Sequence, residues 1–135
     1  NNFLKKILQL ATEDEPLKLV SDQFGCPTYG KDIATAILAA VPALNDNHET
    51  SEVYHFCGDK ALSWYDLGVE IFSRAHVFGA PCPKRIQKIT VSNFNAPARR
   101  PENGALNSEK FRNRFGVFPT PLRDALDETV KALLR

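Results

Sequence analysis

An α/β fold is predicted by two features of the sequence. Apolar residues recur at helical spacing in several separate segments, and between them stand short runs of aliphatic and aromatic residues bounded by turn formers. Composition agrees, since 43% hydrophobic residues in 135 is enough to build one domain's core without disulfides.

The elements follow in order. Phe3, Leu4, Ile7, Leu8 and Ala11 share a helical face, so residues 2–12 read as an amphipathic helix ended by Glu13 to Pro16. Leu17, Leu19 and Val20 make a short strand. Ile33, Ala34, Ile37, Leu38 and Val41 are again helical, closing at Pro42, and Asn45 to Glu52 is a polar loop. Val53 to Cys57 is β-branched and aromatic, bounded by Gly58-Asp59, and reads as a buried strand. Ser63 with Asp66 forms a shortened capping arrangement for a helix over Trp64, Leu67, Ile71, Phe72 and Ala75, stopped near Gly79 and Pro81. Arg85 to Val91 is a weaker strand because Ile86 and Ile89 do not alternate. Ser108 begins a short helix with Phe111 and Phe115 on one face and Gly116 as C-cap. Thr120 caps a last helix with Pro121 at its first position and Leu122, Leu126, Thr129 and Leu133 as its buried stripe. Short strands among so many amphipathic helices leave apolar surface to be covered by a partner domain.

A net charge of +1, from 17 basic and 16 acidic residues, supplies no broad field for nucleic acid or an anionic membrane, so an anionic ligand must be met locally. Cys26, Cys57 and Cys82 lack C-x-x-C spacing and suit a reducing cytoplasm rather than a disulfide framework or zinc site. His48, His55 and His76 have no partner pattern, and no metal site is read from them. No apolar run approaches the roughly 20 residues that span a bilayer. The chain opens in a helix at Asn1 without an initiator Met, and a fragment of a longer protein is expected.

Asp22 to Ala34 (D-Q-F-G-C-P-T-Y-G-K-D-I-A) places polar and turn-forming residues between a strand's end and a helix's start, where α/β proteins usually bind ligands. A second polar stretch, Ala98 to Asn107, carries Arg99 and Arg100 against a proline. A guanidinium grips a phosphate through two parallel hydrogen bonds and keeps its charge at any relevant pH, although an arginine beside a turn is more commonly a plain surface charge. Gln23 and Thr28 are candidate donors to a sugar or phosphate, Thr28 being equally suited to capping. Asn1 and Asn2 read first as caps of the opening helix, and Trp64 reads first as core. No G-x-G-x-x-G turn is present to cradle a dinucleotide, and no Tyr precedes a Lys by four positions. The chain by itself therefore holds no complete catalytic constellation and is expected to be inactive alone.

Asn1-Asn2-Phe3, D-Q-F-G-C-P-T with Asp32-Ile33-Ala34, V-Y-H-F-C-G with Ser63-Trp64, and A-R-R-P-E-N-G-A-L-N with Lys110-Phe111 occur in an order that resembles the C-terminal half of the dTDP-4-dehydrorhamnose reductases, within the extended short-chain dehydrogenases. The resemblance runs over nearly the whole chain. It implies a C-terminal substrate-binding lobe of a Rossmann-type enzyme, a single domain over residues 1–135, with NADPH and the catalytic Tyr and Lys held by an N-terminal Rossmann domain absent from this chain. It implies a dTDP-sugar substrate and cytoplasmic location. It assigns substrate-cleft positions to Asn2, Gln23, Pro27 and Thr28. Arg100 matches the family's arginine, Arg99 replaces a small or polar residue, and Asn103 matches an Asn whose main use is to fix the loop. A homodimer is possible, bridged in some relatives by Mg2+. Lys31 stands where those relatives carry an acidic residue, so Mg2+ is not expected here. Two other functions stay open on the residues alone: a non-catalytic subunit resembling the regulatory β subunit of methionine adenosyltransferase, and a related sugar-nucleotide epimerase.

Overall fold

The computed structural model describes residues 2–45, 52–94 and 100–134. Helix α1 (Phe3–Leu10) is started by Asn2, whose Oδ1 accepts from the Lys5 N–H at 2.9 Å, and it buries Ile7 with Ala11 just beyond its end. Strand β1 (Leu17–Val20) pairs in parallel with β4 (Ile86–Ile89), Leu17 opposite Ile86 through Val20 opposite Ile89. Between them in sequence lie the two-residue strands β2 (Phe24–Gly25) and β3 (Leu62–Ser63), antiparallel to one another, together with helices α2 (Gly30–Ala40) and α3 (Trp64–Val77). After β4 come the short α4 (Val91–Phe94), then α5 (Glu109–Phe115) and α6 (Leu122–Leu133).

The main core forms where α1, α3 and α6 meet β1: Ile7, Leu19, Leu67, Ile71, Phe72, Leu122 and Leu126 are buried together. Gly68 permits the closeness of α3 and β1, because a Cβ there would come nearer than 3.0 Å to the Leu19 side chain. Helix α3 is capped as its sequence predicts: Ser63 Oγ accepts from the Asp66 N–H at 3.0 Å and donates to the Asp66 carboxylate at 2.6 Å. The Arg74 guanidinium clasps the Asp127 carboxylate through two nitrogens and fastens α3 to α6.

A second cluster is aromatic. Phe111 and Phe115 of α5 lie 4.7 Å apart, with Tyr54 and Phe56 set edge-on against them. Gly116 ends α5 in the left-handed conformation at φ 66°, its N–H donating to the Arg112 carbonyl.

Three expectations are corrected by the structure. Val53 to Cys57 forms no strand and has no place in either sheet. Its β-branched and aromatic character serves packing on α5 instead, while Val53 itself is exposed. Its Cys57 N–H donates to Ser108 Oγ at 2.9 Å in place of a ladder partner, which also takes the Ser108 hydroxyl away from helix capping. Thr120 does not cap α6 through its side chain, and Pro121 precedes the first helical residue. The buried stripe of α6 is Leu122, Ala125, Leu126 and Val130, whereas Leu133 is exposed. Helix α2 forms where its spacing predicts, and its apolar face points outward: Ile33, Ile37, Leu38 and Val41 are exposed, Leu38 by 72%, while Asp32 and Ala36 are the buried positions. A carboxylate faces inward because it has partners there, described below.

Candidate functional site

The site begins where β1 ends. Ser21 N–H continues the ladder to the Ile89 carbonyl at 2.9 Å, and Asp22 Oδ1 accepts from the Val91 N–H at 2.8 Å, so the chain leaves the sheet in a fixed direction. The next residues are then held from both sides. Phe24 N–H donates to the Glu102 carbonyl at 2.8 Å and Gly104 N–H donates to the Phe24 carbonyl at 2.9 Å, which lays the 102–104 segment along β2, with β3 on its other flank. Two polar stretches some 75 residues apart in sequence are thereby hydrogen-bonded to each other. The buried Gln23 reaches the Arg100 carbonyl with its Nε2 at 3.5 Å.

These segments surround an open cavity of about 660 Å3. Its floor is apolar, with Leu67 and Ile71 from α3 and Leu122, Ala125 and Leu126 from α6. Polar groups line the cavity as well, the exposed Arg100 and the buried Gln23 among them. Asn2, Gln23, Pro27, Thr28 and Arg100 all line it. Asn103 does not; its Oδ1 accepts from the Ala105 N–H at 2.9 Å and shapes the loop, leaving the adjacent Gly104 on the cavity wall. Arg99 lies outside the described residues. Arg100 is exposed, and among the described residues no carboxylate pairs with it.

Several of these polar groups are already partly engaged. Thr28 Oγ1 donates to the Cys26 carbonyl at 3.0 Å and accepts from the Gly58 N–H at 3.2 Å, joining the 26–28 turn to the 57–59 loop. Asn2 Oδ1 serves the helix cap, leaving its amide NH2 for a ligand. Gln23 retains its side-chain oxygen and part of its NH2 group. The guanidinium of Arg100 is the strongest uncommitted donor among these groups.

Three further residues contribute: Tyr29, which sequence reasoning passed over, and Trp64 and Thr120, which it read first as core and as a helix cap. Trp64 is half-buried and lines the cavity, with its ring centre 4.9 Å from that of Phe3. Tyr29 and Thr120 also line the cavity. The Tyr29 phenol is pushed up from its ordinary value by burial and by a hydrogen bond with Glu128, the opposite direction from an activated proton donor. The Cys26 thiol, on the cavity wall, is likewise pushed up, first by burial and further by the adjacent Cys57. A thiol held protonated is a poor nucleophile, so nothing here favours thiol catalysis.

Among the described residues no group of three His, Cys, Asp or Glu side chains is placed to hold a metal ion. Lys31 forms an exposed ion pair with Glu128 of α6. No helix among the described residues is long and apolar enough to cross a membrane. The glycine-rich turn that a dinucleotide's pyrophosphate needs is missing from the sequence, so the residues present do not fit NADPH by themselves. The lining suits a ligand that has apolar parts and an anionic group, and among the described residues it brings together no nucleophile and base.

Strand ends, a helix start and a return loop converging on a mostly apolar basin with a few directed donors define a ligand-binding lobe of α/β type. The chain belongs to the RmlD substrate binding domain family, whose model matches residues 1–135. It is 37% identical over 140 residues to the dTDP-4-dehydrorhamnose reductase of Burkholderia thailandensis, covering 98% of this chain and 47% of that protein. It is 33% identical over 118 residues to that of Escherichia coli K12, covering 87% of this chain and 40% of the relative. Among solved structures, a dTDP-4-dehydrorhamnose reductase ortholog from Clostridium acetobutylicum superimposes with a TM-score of 0.83 at 27% identity, over 100% of this chain and 45% of that one. The Bacillus anthracis dTDP-4-dehydrorhamnose reductase in complex with NADP shares the fold, with a TM-score of 0.79 at 24% identity, over 95% of this chain and 42% of that one. The chain thus spans less than half the length of the relatives it matches.

Proposed function

We propose that this chain is the nucleotide-sugar-binding lobe of a dTDP-4-dehydrorhamnose reductase, which reduces the C4 ketone of dTDP-4-dehydro-L-rhamnose to dTDP-L-rhamnose for polysaccharide synthesis in the cytoplasm. In that reaction NADPH supplies the hydride to C4 and an acid supplies the proton to the resulting alkoxide. Both belong, in this proposal, to a Rossmann domain of the same protein outside these 135 residues. This lobe's own contribution is to hold and orient the dTDP-sugar. The observation that carries the reading is the single cavity shared by Asn2, Gln23, Pro27, Thr28 and Arg100, residues drawn from three distant parts of the chain.

The roles follow from what each group has free. Arg100, exposed and lining the cavity, neutralises the diphosphate, with Arg99 beside it in sequence as a second cation. Gln23 and the amide of Asn2 hydrogen-bond the sugar or phosphate oxygens. Pro27 and Thr28 form the turn that walls the cavity, and Asn103 holds the loop that presents Arg100. The apolar floor takes the less polar faces of the ligand and excludes water from them.

The test is steady-state kinetics of the complete reductase. Arg100→Ala removes a charge-assisted hydrogen bond worth about 1.5–3 kcal/mol, so KM for the nucleotide-sugar should rise about 10- to 150-fold. An unchanged KM refutes the role of Arg100. No oxidation of NADPH by the complete wild-type protein, supplied with the keto-sugar, refutes the reductase reading and favours a subunit without turnover.

A further inference from the structure

We infer that Asp32 is a positioning residue for the nucleotide-sugar site, acting through Thr120 to lock the entrance of α6 onto the turn that walls the cavity. The inference rests on the reductase reading above and adds to it a residue that does not line the cavity.

Asp32 lies in the first turn of α2 and is 9% exposed. A buried carboxylate needs compensation, and this one has it from a single distant residue. Asp32 Oδ2 accepts from the Thr120 backbone N–H at 2.8 Å and Oδ1 accepts from the Thr120 hydroxyl at 2.7 Å. The α2 N-terminus adds favourable electrostatics of its own. The next link lies two residues on, where the Leu122 N–H, an orphan donor at the start of α6, is taken by Asp59 Oδ1 at 3.1 Å. Asp59 in turn follows Gly58, whose N–H is bonded to Thr28. The 28–32, 58–59 and 120–122 segments are therefore closed into one hydrogen-bonded ring.

Thr28, Gly58, Thr120 and Leu122 of that ring all line the cavity, whereas Asp32 and Asp59 do not. The carboxylates stand behind the wall and fix its parts. Fixing matters for binding because a ligand that meets a loose wall must order it first, and small displacements at a binding site weaken productive contact disproportionately. A role confined to stability would instead lower the folded fraction and leave the affinity of the folded molecules as it was.

The complete reductase is assayed as Asp32→Asn, Thr120→Val and the double variant, for kcat and for KM of the nucleotide-sugar, alongside thermal unfolding. Val130→Ala serves as the control, since Val130 is fully buried on α6 but does not line the cavity. Asparagine keeps the shape of Asp32 but removes its charge and leaves one acceptor for Thr120, so that the Thr120 hydroxyl must accept from the new NH2 instead of donating to a carboxylate. The expected result is a KM raised about tenfold in Asp32→Asn with kcat within about twofold, and a double variant no worse than Asp32→Asn. Val130→Ala should lower the melting temperature and leave KM unmoved. A wild-type KM in Asp32→Asn, with the same loss of melting temperature as the control, overturns the inference. Additive effects in the double variant also overturn it, because Thr120 would then act on the ligand independently. If Asp32→Asn does not fold, Thr120→Val against Thr120→Ser decides: the serine retains the hydroxyl bond to Asp32, and equal KM values in the two variants refute the role. Wild-type turnover reports on the reductase reading separately. Its absence sinks both, while normal wild-type turnover with an unmoved KM in Asp32→Asn sinks only the positioning role.

Discussion

Gly58→Ala is expected to be among the most damaging substitutions near the cavity, for a steric reason unrelated to backbone conformation. A Cβ on Gly58 would come closer than 3.0 Å to the Pro27 carbonyl oxygen and 3.1 Å from its carbon. Both atoms are backbone, so no side-chain rotation relieves the contact, and the 57–59 loop and the 26–28 turn must separate. Overpacking of this kind costs about 1–3 kcal/mol, and parting the segments also loses the Gly58 hydrogen bond to Thr28, worth about 1 kcal/mol. The sum, about 2–4 kcal/mol, corresponds to a urea midpoint lowered by roughly 1–2 M at an m-value near 2 kcal/mol/M. The comparison is Gly25→Ala, where the new methyl meets nothing within 4 Å and the change should stay within about 0.5 kcal/mol. Equal midpoints for the two variants in urea denaturation, followed by circular dichroism, would refute the packing of the two segments. The same experiment separates this account from a generic intolerance of alanine at glycine positions.

Two further outcomes follow from the core and from charge. Ile71 is 1% exposed at the centre of the main cluster, so Ile71→Ala should cost about 2–5 kcal/mol in urea denaturation; a loss below 1 kcal/mol would place the core elsewhere. The Arg74 guanidinium holds the Asp127 carboxyl below its ordinary value, so the pair's stabilisation is present above the unfolded-state pKa, near 3.8, and is lost as pH falls through the lower folded value. The two side chains are mostly covered by their surroundings and joined by two hydrogen bonds. Wild-type stability should therefore fall below about pH 4 more steeply than that of Asp127→Asn. Parallel acid limbs in urea titrations would count against the pair.

Much of the architecture was legible because local rules and tertiary contacts agreed. The helical stripe of α1, the Ser63 and Asp66 cap, the Gly116 terminus and the β1 strand each depend on neighbours a few residues away, and those neighbours are visible in a linear reading. The aromatic run at 53–57 misled for a physical reason: β-branched and aromatic residues suit any half-buried extended backbone, and here the surface they cover belongs to α5 rather than to a neighbouring strand. The outward apolar face of α2 is the converse case. Periodicity identifies which residues share a face but not which face turns inward, and here the inward place is held by Asp32, hydrogen-bonded to Thr120.

For the candidate site, the sequence by itself determined which polar residues sit at a strand's end and in the arginine loop, and that a dinucleotide cradle is missing. Only the tertiary structure decided that Gln23 and Arg100 border one cavity, that Asn103 stands outside it, and that Asp32, Asp59 and Thr120 close its wall. The reason is the range of the forces involved. Capping, turns and amphipathic stripes are set by groups within a helical turn of one another, whereas the cavity is made by hydrogen bonds between segments 30 to 88 residues apart, whose partners no local pattern encodes.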